Sequence, residues 1–396
     1  MTIYADNAAT TNLSGPALNA MLPYFGDIYG NPSSFHKEGQ KANKALIKAR
    51  EEIAFVLGCE PKEIIFTSGG TESDNQALIS AAEYGKNNGK MHIVSTAFEH
   101  HAVLNTLEKL KEIGFEITLI NVPENGIITP SQVESAIREE TCLVSVMYAN
   151  NEIGTVQPVK EIGEICRNRG IVFHTDAVQA AGHLHINVKE ENIDMLTLSA
   201  HKFGGPKGIG ALYVRKGINL TSLIYGGPQE RGKRAGTENV PAAVGMAAAL
   251  KESRQMIDIN TLRTERMRDR LIEGLSEIPH SILNGDKSER LPGNVNFCFE
   301  GIEGEPLLLL LDERGICASS GSACSAGSIE PSHVLLAIGR PPEIAQASLR
   351  LTINENNTDE EIEYIIKTVK EVVALLRNMS PAWKDLTEGK RSFYTN

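Results

Sequence analysis

Over the first 240 residues, short apolar and β-branched runs alternate with longer amphipathic ones. "EIIFTSGG" reads as a strand ending in glycines, and "TESDNQALISAAEYG" as the helix after it. "HIVSTAFEHH" is a strand and turn, followed by the amphipathic "AVLNTLEKLKEIG". Then come "EITLINV", a helix from about Ser131, the strand "CLVSVMYA", the helical "PVKEIGEICRNRG" and the strand "IVFHTDAV". "MLTLSAHK" and "GIGALYVR" read as strands separated by "FGGPKG". This alternation predicts right-handed crossovers and a mainly parallel sheet covered on both faces.

The rhythm weakens after about residue 240. A long helical stretch, "PAAVGMAAALKESRQMIDINTLRTERMRDRLIEGL", carries the chain away. "GNVNFCF", "EPLLLLLDERG", "PSHVLLAIG", "SLRLTI" and a final helix "DEEIEYIIKTVKEVVALLRNM" follow. The expected organisation is a large α/β domain over residues 14–255 and a smaller α+β domain built from 1–13 and 256–396. A chain of 396 residues is comfortable as two domains. The first dozen residues are expected to pack on the smaller domain or to line the cleft.

Charge narrows the partners. With 39 basic and 50 acidic residues the formal charge is −11, which argues against DNA or an anionic membrane as partner. No apolar run approaches a membrane-spanning length. The start, "MTIYADNAATT", lacks the layout of a secretory signal, so a cytoplasmic protein is expected. Cys59, Cys142, Cys166, Cys298, Cys317 and Cys324 are scattered, with no CxxC pair. That pattern fits neither a disulfide framework nor a zinc ribbon, and no structural metal is expected. Five of the six are expected as small buried hydrophobes. The sixth, Cys324, sits in "CASSGSACSAGS", where nearly every residue is small.

In open α/β sheets, ligands bind outside the carboxyl ends of the strands. Four turns at such ends carry chemistry here. "SGGTESDN" (Ser68–Asn75) places glycines and Thr71 where a helix begins, a spot suited to a phosphate. A plain glycine turn with a threonine N-cap would look the same. "FHTDAVQAAG" puts Asp176 at a strand end with Gln179 three residues on; a capping aspartate is the alternative. "LTLSAHKFGGPKG" ends a strand with Ser199, His201 and Lys202. A lysine there is expected to be desolvated and nucleophilic, unless it snorkels to the surface. "FEHHAV" offers His100 as a general acid/base or a flat ring for stacking, with His101 facing outward. A phosphate cup, an acid for a ring nitrogen and a strand-end lysine for a Schiff base are together what a protein supplies to pyridoxal 5′-phosphate.

At this point the chain resembles the cysteine desulfurases of the fold-type I, class V aminotransferase superfamily. The resemblance runs nearly end to end, through "YADNAATT", "GNPSSFHKEG", "TSGGTESDN", "EHHAV", "NNEIGTVQP", "HTDAVQAAG", "SAHKFGGPKGIG", "QERGKRAGTEN", "SSGSACS" and "SLRLTI". "SSGSAC" on a long loop is similar to the first of the two desulfurase groups, the NifS/IscS-like branch. The resemblance implies a fold-type I pyridoxal-phosphate transferase, a large domain with a mainly parallel mixed sheet plus a smaller α+β domain. It implies Lys202 as Schiff-base lysine; Gly70, Thr71, Ser199 and His201 as phosphate contacts; and Thr237 reaching the phosphate from a partner subunit, hence a homodimer. Asp176 resembles the pyridine-nitrogen partner, Gln179 the donor to the ring hydroxyl, and His100 the stacked histidine that assists Lys202 in moving the Cα proton. Asn151, with Asn150 as its easily confused neighbour, and Arg350 look like contacts to the substrate α-carboxylate.

The implied activity converts L-cysteine to L-alanine, with the sulfur taken by Cys324 as a persulfide. Small residues over about 317–330 would let Cys324 travel to an acceptor such as an iron–sulfur scaffold protein. Cys324 as a transient iron–sulfur ligand stays open. So do a selenocysteine lyase, a plain class V aminotransferase, and a non-enzymatic scaffold for iron–sulfur assembly. The helix "NTDEEIEYIIKTVKEV" and the tail "SPAWKDLTEGKRSFYTN", with Trp383 as anchor, are either docking surfaces or a solvated face.

Overall fold

The computed structural model describes residues 2–320 and 330–395. Its strands are β1 (Ile3–Tyr4), β2 (Ile64–Thr67), β3 (His92–Thr96), β4 (Glu116–Ile120), β5 (Thr141–Ser145), β6 (Val172–Asp176), β7 (Met195–Ser199), β8 (Gly210–Val214), β9 (Ser281–Leu283), β10 (Asn294–Phe299), β11 (Ile316–Cys317) and β12 (Ser348–Thr352). Seven of them form one sheet in the order β2-β8-β7-β6-β5-β3-β4. All neighbours are parallel except β8, which runs antiparallel to both β2 and β7. β3, β5, β6, β7 and β8 are buried along their whole length, as strands covered on both faces must be. The edge strand β4 is the partly exposed one.

The sheet is the floor of two apolar layers. On one face, Ala77, Leu78 and Ala81 of helix Gly70–Asn87 and Val103, Leu107 and Leu110 of helix His101–Glu112 pack together. On the other, the apolar stripe Leu46, Ala49, Ile53 and Leu57 of helix Lys37–Leu57 meets Ala242, Ala243, Met246 and Leu250 of helix Val240–Ser276. This second helix is one continuous element of 37 residues. Its far half, with Met267, Leu271 and Leu275, belongs to a different core. There it packs with β9, β10 and helix Asp359–Met379. The 359–379 helix starts on a capping box between Thr358 and Glu361. Ile362, Ile365, Ile366, Val369, Val372 and Val373 recur along one of its faces at the i, i+3, i+4, i+7 spacing of an amphipathic helix. The 255/256 position expected between domains falls inside the 240–276 helix.

The first residues join this second core. β1 pairs in parallel with β11, and Ala5 and Ile3 are buried there. The C-terminal tail also folds back. Trp383 lies under the Arg377 guanidinium, whose carbon is 3.9 Å from the ring centroid, and Phe393 stacks on His280 at 3.7 Å. Trp383 thus makes an intramolecular contact and remains half-buried. Of the five cysteines described, Cys142, Cys166 and Cys298 are buried and Cys59 and Cys317 only half-buried.

One buried ion pair holds the segment before the "RAGTEN" motif. Glu230 has a positive φ of 45°, a conformation non-glycine residues rarely adopt. Its carboxylate takes both Arg50 Nη2 (2.6 Å) and Nη1 (2.8 Å), and also the Phe66 N–H (3.0 Å). These contacts over-determine the strained turn. Removing one partner leaves a buried charge behind, so Glu230→Ala is expected to lower stability by about 3–5 kcal/mol in chemical denaturation. A loss below about 1 kcal/mol, the range of an exposed pair, would contradict this account.

Candidate active site

At the carboxyl ends of β2, β6 and β7 the chain encloses a cavity of about 580 Å³. That is within the usual size for a cofactor-plus-substrate site. Its near wall is the N-terminal segment. Thr11 exchanges hydrogen bonds with the turn after β7: its N–H and Oγ1 both donate to His201 O at 2.9 Å, and its Oγ1 accepts from Gly204 N–H at 2.9 Å. The carbonyls of Ala8 and Ala9 thereby face Lys202, whose Nζ donates to them at 2.6 and 2.8 Å. The lysine is half-buried at the end of a short turn, Ala200–Lys202.

The phosphate-type end is built by helix Gly70–Asn87, which begins on the cavity wall. Its N-cap is Gly69, with no side chain to bond the first-turn N–H groups, so Thr71 is the second residue of the helix and not its cap. A Cβ at Gly70 would come within 2.9 Å of Val178 Cγ2, so glycine is what allows the helix to start this close to the turn after β6. Ser199 and His201 line the same cavity. His201 Nδ1 pairs with Thr10 Oγ1 at 3.1 Å. Burial, with the charges of Lys202 and Lys207, holds its pKa down to about 4, so the ring is neutral.

The other end holds Asp176, Gln179 and His100. Asp176 Oδ1 accepts the Val178 N–H at 2.9 Å. Burial pushes its pKa up to about 6, against the opposing pull of that hydrogen bond and of Lys202. Gln179 Nε2 donates to Ala8 O at 3.0 Å. His100 caps helix His101–Glu112, its Nδ1 accepting the Ala102 N–H at 3.1 Å. Burial, then the charges of Lys202 and His101, bring it down to about 4. A cavity histidine with that value is a neutral ring across the physiological range. His101 is exposed.

Asn151 and Arg350 line the cavity, and Asn150 does not. The Asn150 side chain is used up in its own turn, accepting from the Glu152 and Ile153 N–H groups (2.8 and 3.0 Å) and donating to Phe98 O (3.0 Å). Arg350 is buried on β12. It donates through Nη2 to Asp6 Oδ1 (2.9 Å) and through Nη1 to Asn151 O (3.1 Å). Thr237 is exposed and does not line this cavity of its own chain. Cys324 lies outside the described residues. Those flanking 321–329 are fastened to the site. Ser319 exchanges backbone hydrogen bonds with Arg350 at 3.2 and 2.6 Å. On the other side, Ser332 donates to Glu152 and His333 Nε2 pairs with Glu99 O at 2.9 Å.

The first dozen residues were expected at the cleft or on the smaller domain, but no role was given to the Ala8–Ala9 carbonyls, to Asp74 and Lys207 on the wall, or to Asp6 behind Arg350. The run "DNAATT" hinted at the first of these, because small residues let a backbone approach a site closely, while Asp74 and Lys207 sit inside the glycine-rich turns "SGGTESDN" and "FGGPKG".

A model of the class-V aminotransferases matches residues 3–365. The chain is 52% identical over 379 residues to a cysteine desulfurase IscS of Methanosarcina thermophila, covering 96% of this chain and 94% of that one. A solved NifS-like protein superposes with a TM-score of 0.89 at 38% identity, over 95% of this chain and 100% of the other. A structure titled SspA in complex with cysteine superposes with a TM-score of 0.79 at 39% identity, over 90% of this chain and 100% of that one. The fold is that of a pyridoxal-phosphate enzyme of the class-V aminotransferase type. Within that class, the chain belongs to the cysteine desulfurase family. The residues present fit the cofactor: an uncapped helix start beside Gly70, a buried carboxylate and an amine all open on one cavity.

Glu99, just before His100, supplies a pH test. It is fully buried; Oε1 accepts from Thr96 Oγ1 (2.6 Å) and Met147 N–H (3.0 Å). Burial, with a smaller push from Asp176, raises it from 4.5 to about 8. The folded state therefore holds a proton that the unfolded state has released, and this contribution is lost as pH rises from about 4.5 to about 8. Glu99→Gln is expected to gain in melting temperature relative to wild type as pH is raised through that window. A difference that stays flat, or shrinks, in thermal scans across it would refute the assignment.

Proposed function

We propose that this chain is a cysteine desulfurase that takes L-cysteine, releases L-alanine and passes the sulfur to Cys324. The observation that carries the reading is the convergence of Lys202, Asp176, His100, Asn151 and Arg350 on one cavity wall, in a chain of end-to-end desulfurase likeness. Bound pyridoxal phosphate supplies an electron sink that acidifies the substrate Cα–H and labilises its carbon–sulfur bond. The first-turn N–H groups at Gly70 and Thr71, with Ser199 and neutral His201, would hold its phosphate. Asp176 and Gln179 would hold the polar atoms of its ring, and the neutral His100 ring would be available beside it.

Arg350 and Asn151 take the substrate α-carboxylate. Asp6 keeps the Arg350 guanidinium turned to the cavity. Lys202 takes the proton from Cα, with His100 assisting. The Cys324 thiolate then attacks the substrate sulfur. The sulfur–sulfur bond forms as the carbon–sulfur bond breaks, the electron pair stays with the carbon skeleton, and protonation completes alanine.

Thr237 is exposed on its own chain and is assigned to the site of a second subunit in a homodimer. The two cores are taken as two domains, 14–255 and 1–13 with 256–396. The acceptor of the persulfide is a sulfur-receiving protein such as an iron–sulfur scaffold, in the cytoplasm. No helix among the described residues is long and apolar enough to cross a membrane.

Mass spectrometry after adding L-cysteine without reductant tests the reading. One extra sulfur on the Cys324 peptide is expected, and none in Lys202→Ala. Alanine production with no sulfur gain would sink it in favour of a selenocysteine lyase or an aminotransferase. Arg350→Lys gives a second check. Losing a charged, multidentate contact is expected to raise KM for L-cysteine by about 10–100-fold, with the absorption spectrum of the bound cofactor unchanged. An unchanged KM would remove Arg350 from the carboxylate site.

A further inference from the structure

Behind Asp176 stands a carboxyl group that the reaction above does not use. Asp74, one turn into helix Gly70–Asn87, is 1% exposed and lines the cavity with Asp176. Its Oδ1 has no hydrogen-bond donor among the described residues. The one basic group near it there is His174, with Nε2 3.6 Å away. That imidazole pairs instead with Ser145 Oγ (2.9 Å) and Thr197 Oγ1 (3.1 Å). Burial holds it down to about 3, so it carries no charge to offer.

Three buried acids therefore crowd one region: Asp74, Asp176 and Glu99. They cannot all be ionised without a large desolvation and repulsion penalty. Their surroundings divide the charge unequally. Asp176 has a backbone N–H on Oδ1 and the attraction of Lys202. Asp74 has neither. We propose that Asp74 is a positioning residue, a neutral carboxylic acid whose proton confines the negative charge of this pair to Asp176, the group set to meet the ring nitrogen of the cofactor. The inference rests on the assignment of Asp176 made above. It agrees with the direction of titration, since burial first and the Asp176 charge second raise Asp74 well above an ordinary aspartate. Two carboxylates that share one charge are a known way to keep acid and anion side by side.

The test uses holoenzyme and apoenzyme reconstituted with pyridoxal phosphate. Asp74→Asn keeps the shape and the neutrality. The infrared difference between wild type and Asp74→Asn, recorded above neutral pH, is expected to show the C=O stretch of a protonated carboxylic acid present only in wild type. The cofactor dissociation constant of Asp74→Asn should stay within about threefold of wild type, whereas Asp176→Asn should weaken it by about tenfold or more. No such infrared band, or a tenfold loss in Asp74→Asn, overturns the proposal. If Asp176→Asn binds the cofactor as wild type does while the band is present, it is the Asp176 assignment that fails. Should Asp74→Asn not fold, Asp74→Ser replaces it in the same infrared comparison.

Discussion

The buried guanidinium of Arg350 is the contact on which the site depends. It sits on β12 in the second core, yet donates to Asp6 of the N-terminal segment and to the Asn151 carbonyl at the sheet. Its backbone pairs with Ser319, the last stretch before 321–329. Four distant pieces of chain are thus registered by one residue. A buried cation needs such partners, and the same need that satisfies its charge brings the two cores together around the cavity.

The N-terminal segment does the complementary work. It is anchored to β12 by Asn7 Nδ2 to Thr352 O (2.7 Å) and Ala8 N–H to Thr352 Oγ1 (2.8 Å), and to the turn after β7 through Thr11. Between these anchors lie the two carbonyls that hold Lys202. The amine is therefore seated by backbone, which no side-chain exchange removes, while the acids opposite it are tuned by burial. Among buried acids, charge settles where a donor or the lysine supports it.

Much of this was legible beforehand, because it depends on local pattern. Strands buried on both faces read as unbroken apolar runs, and β5, β6 and β7 followed that rule. Asp176 and Lys202 stood out as polar residues ending such runs. What escaped was set by contacts distant in sequence. Nothing local distinguishes Asn150, locked in its own turn, from Asn151 on the cavity. Nothing in "TESDN" tells that Asp74 turns inward or that the helix starts uncapped one residue before Thr71. Asp6 and Arg350 are 344 positions apart. Trp383 looked like a surface anchor because its partner, Arg377, lies on the preceding helix and its platform at Gly301 comes from another part of the chain.

The 240–276 helix has a mechanical meaning. At about 1.5 Å per residue it is a rod of some 55 Å, rooted at one end beneath the sheet and at the other in the second core. A loop joining two bodies lets each drift; a rod makes them share every tilt. A flexure of a few degrees near Ile257 becomes ångströms of travel at its far tip, so the stiffness of this beam adds to the Arg350 and N-terminal contacts in fixing how the two cores tilt.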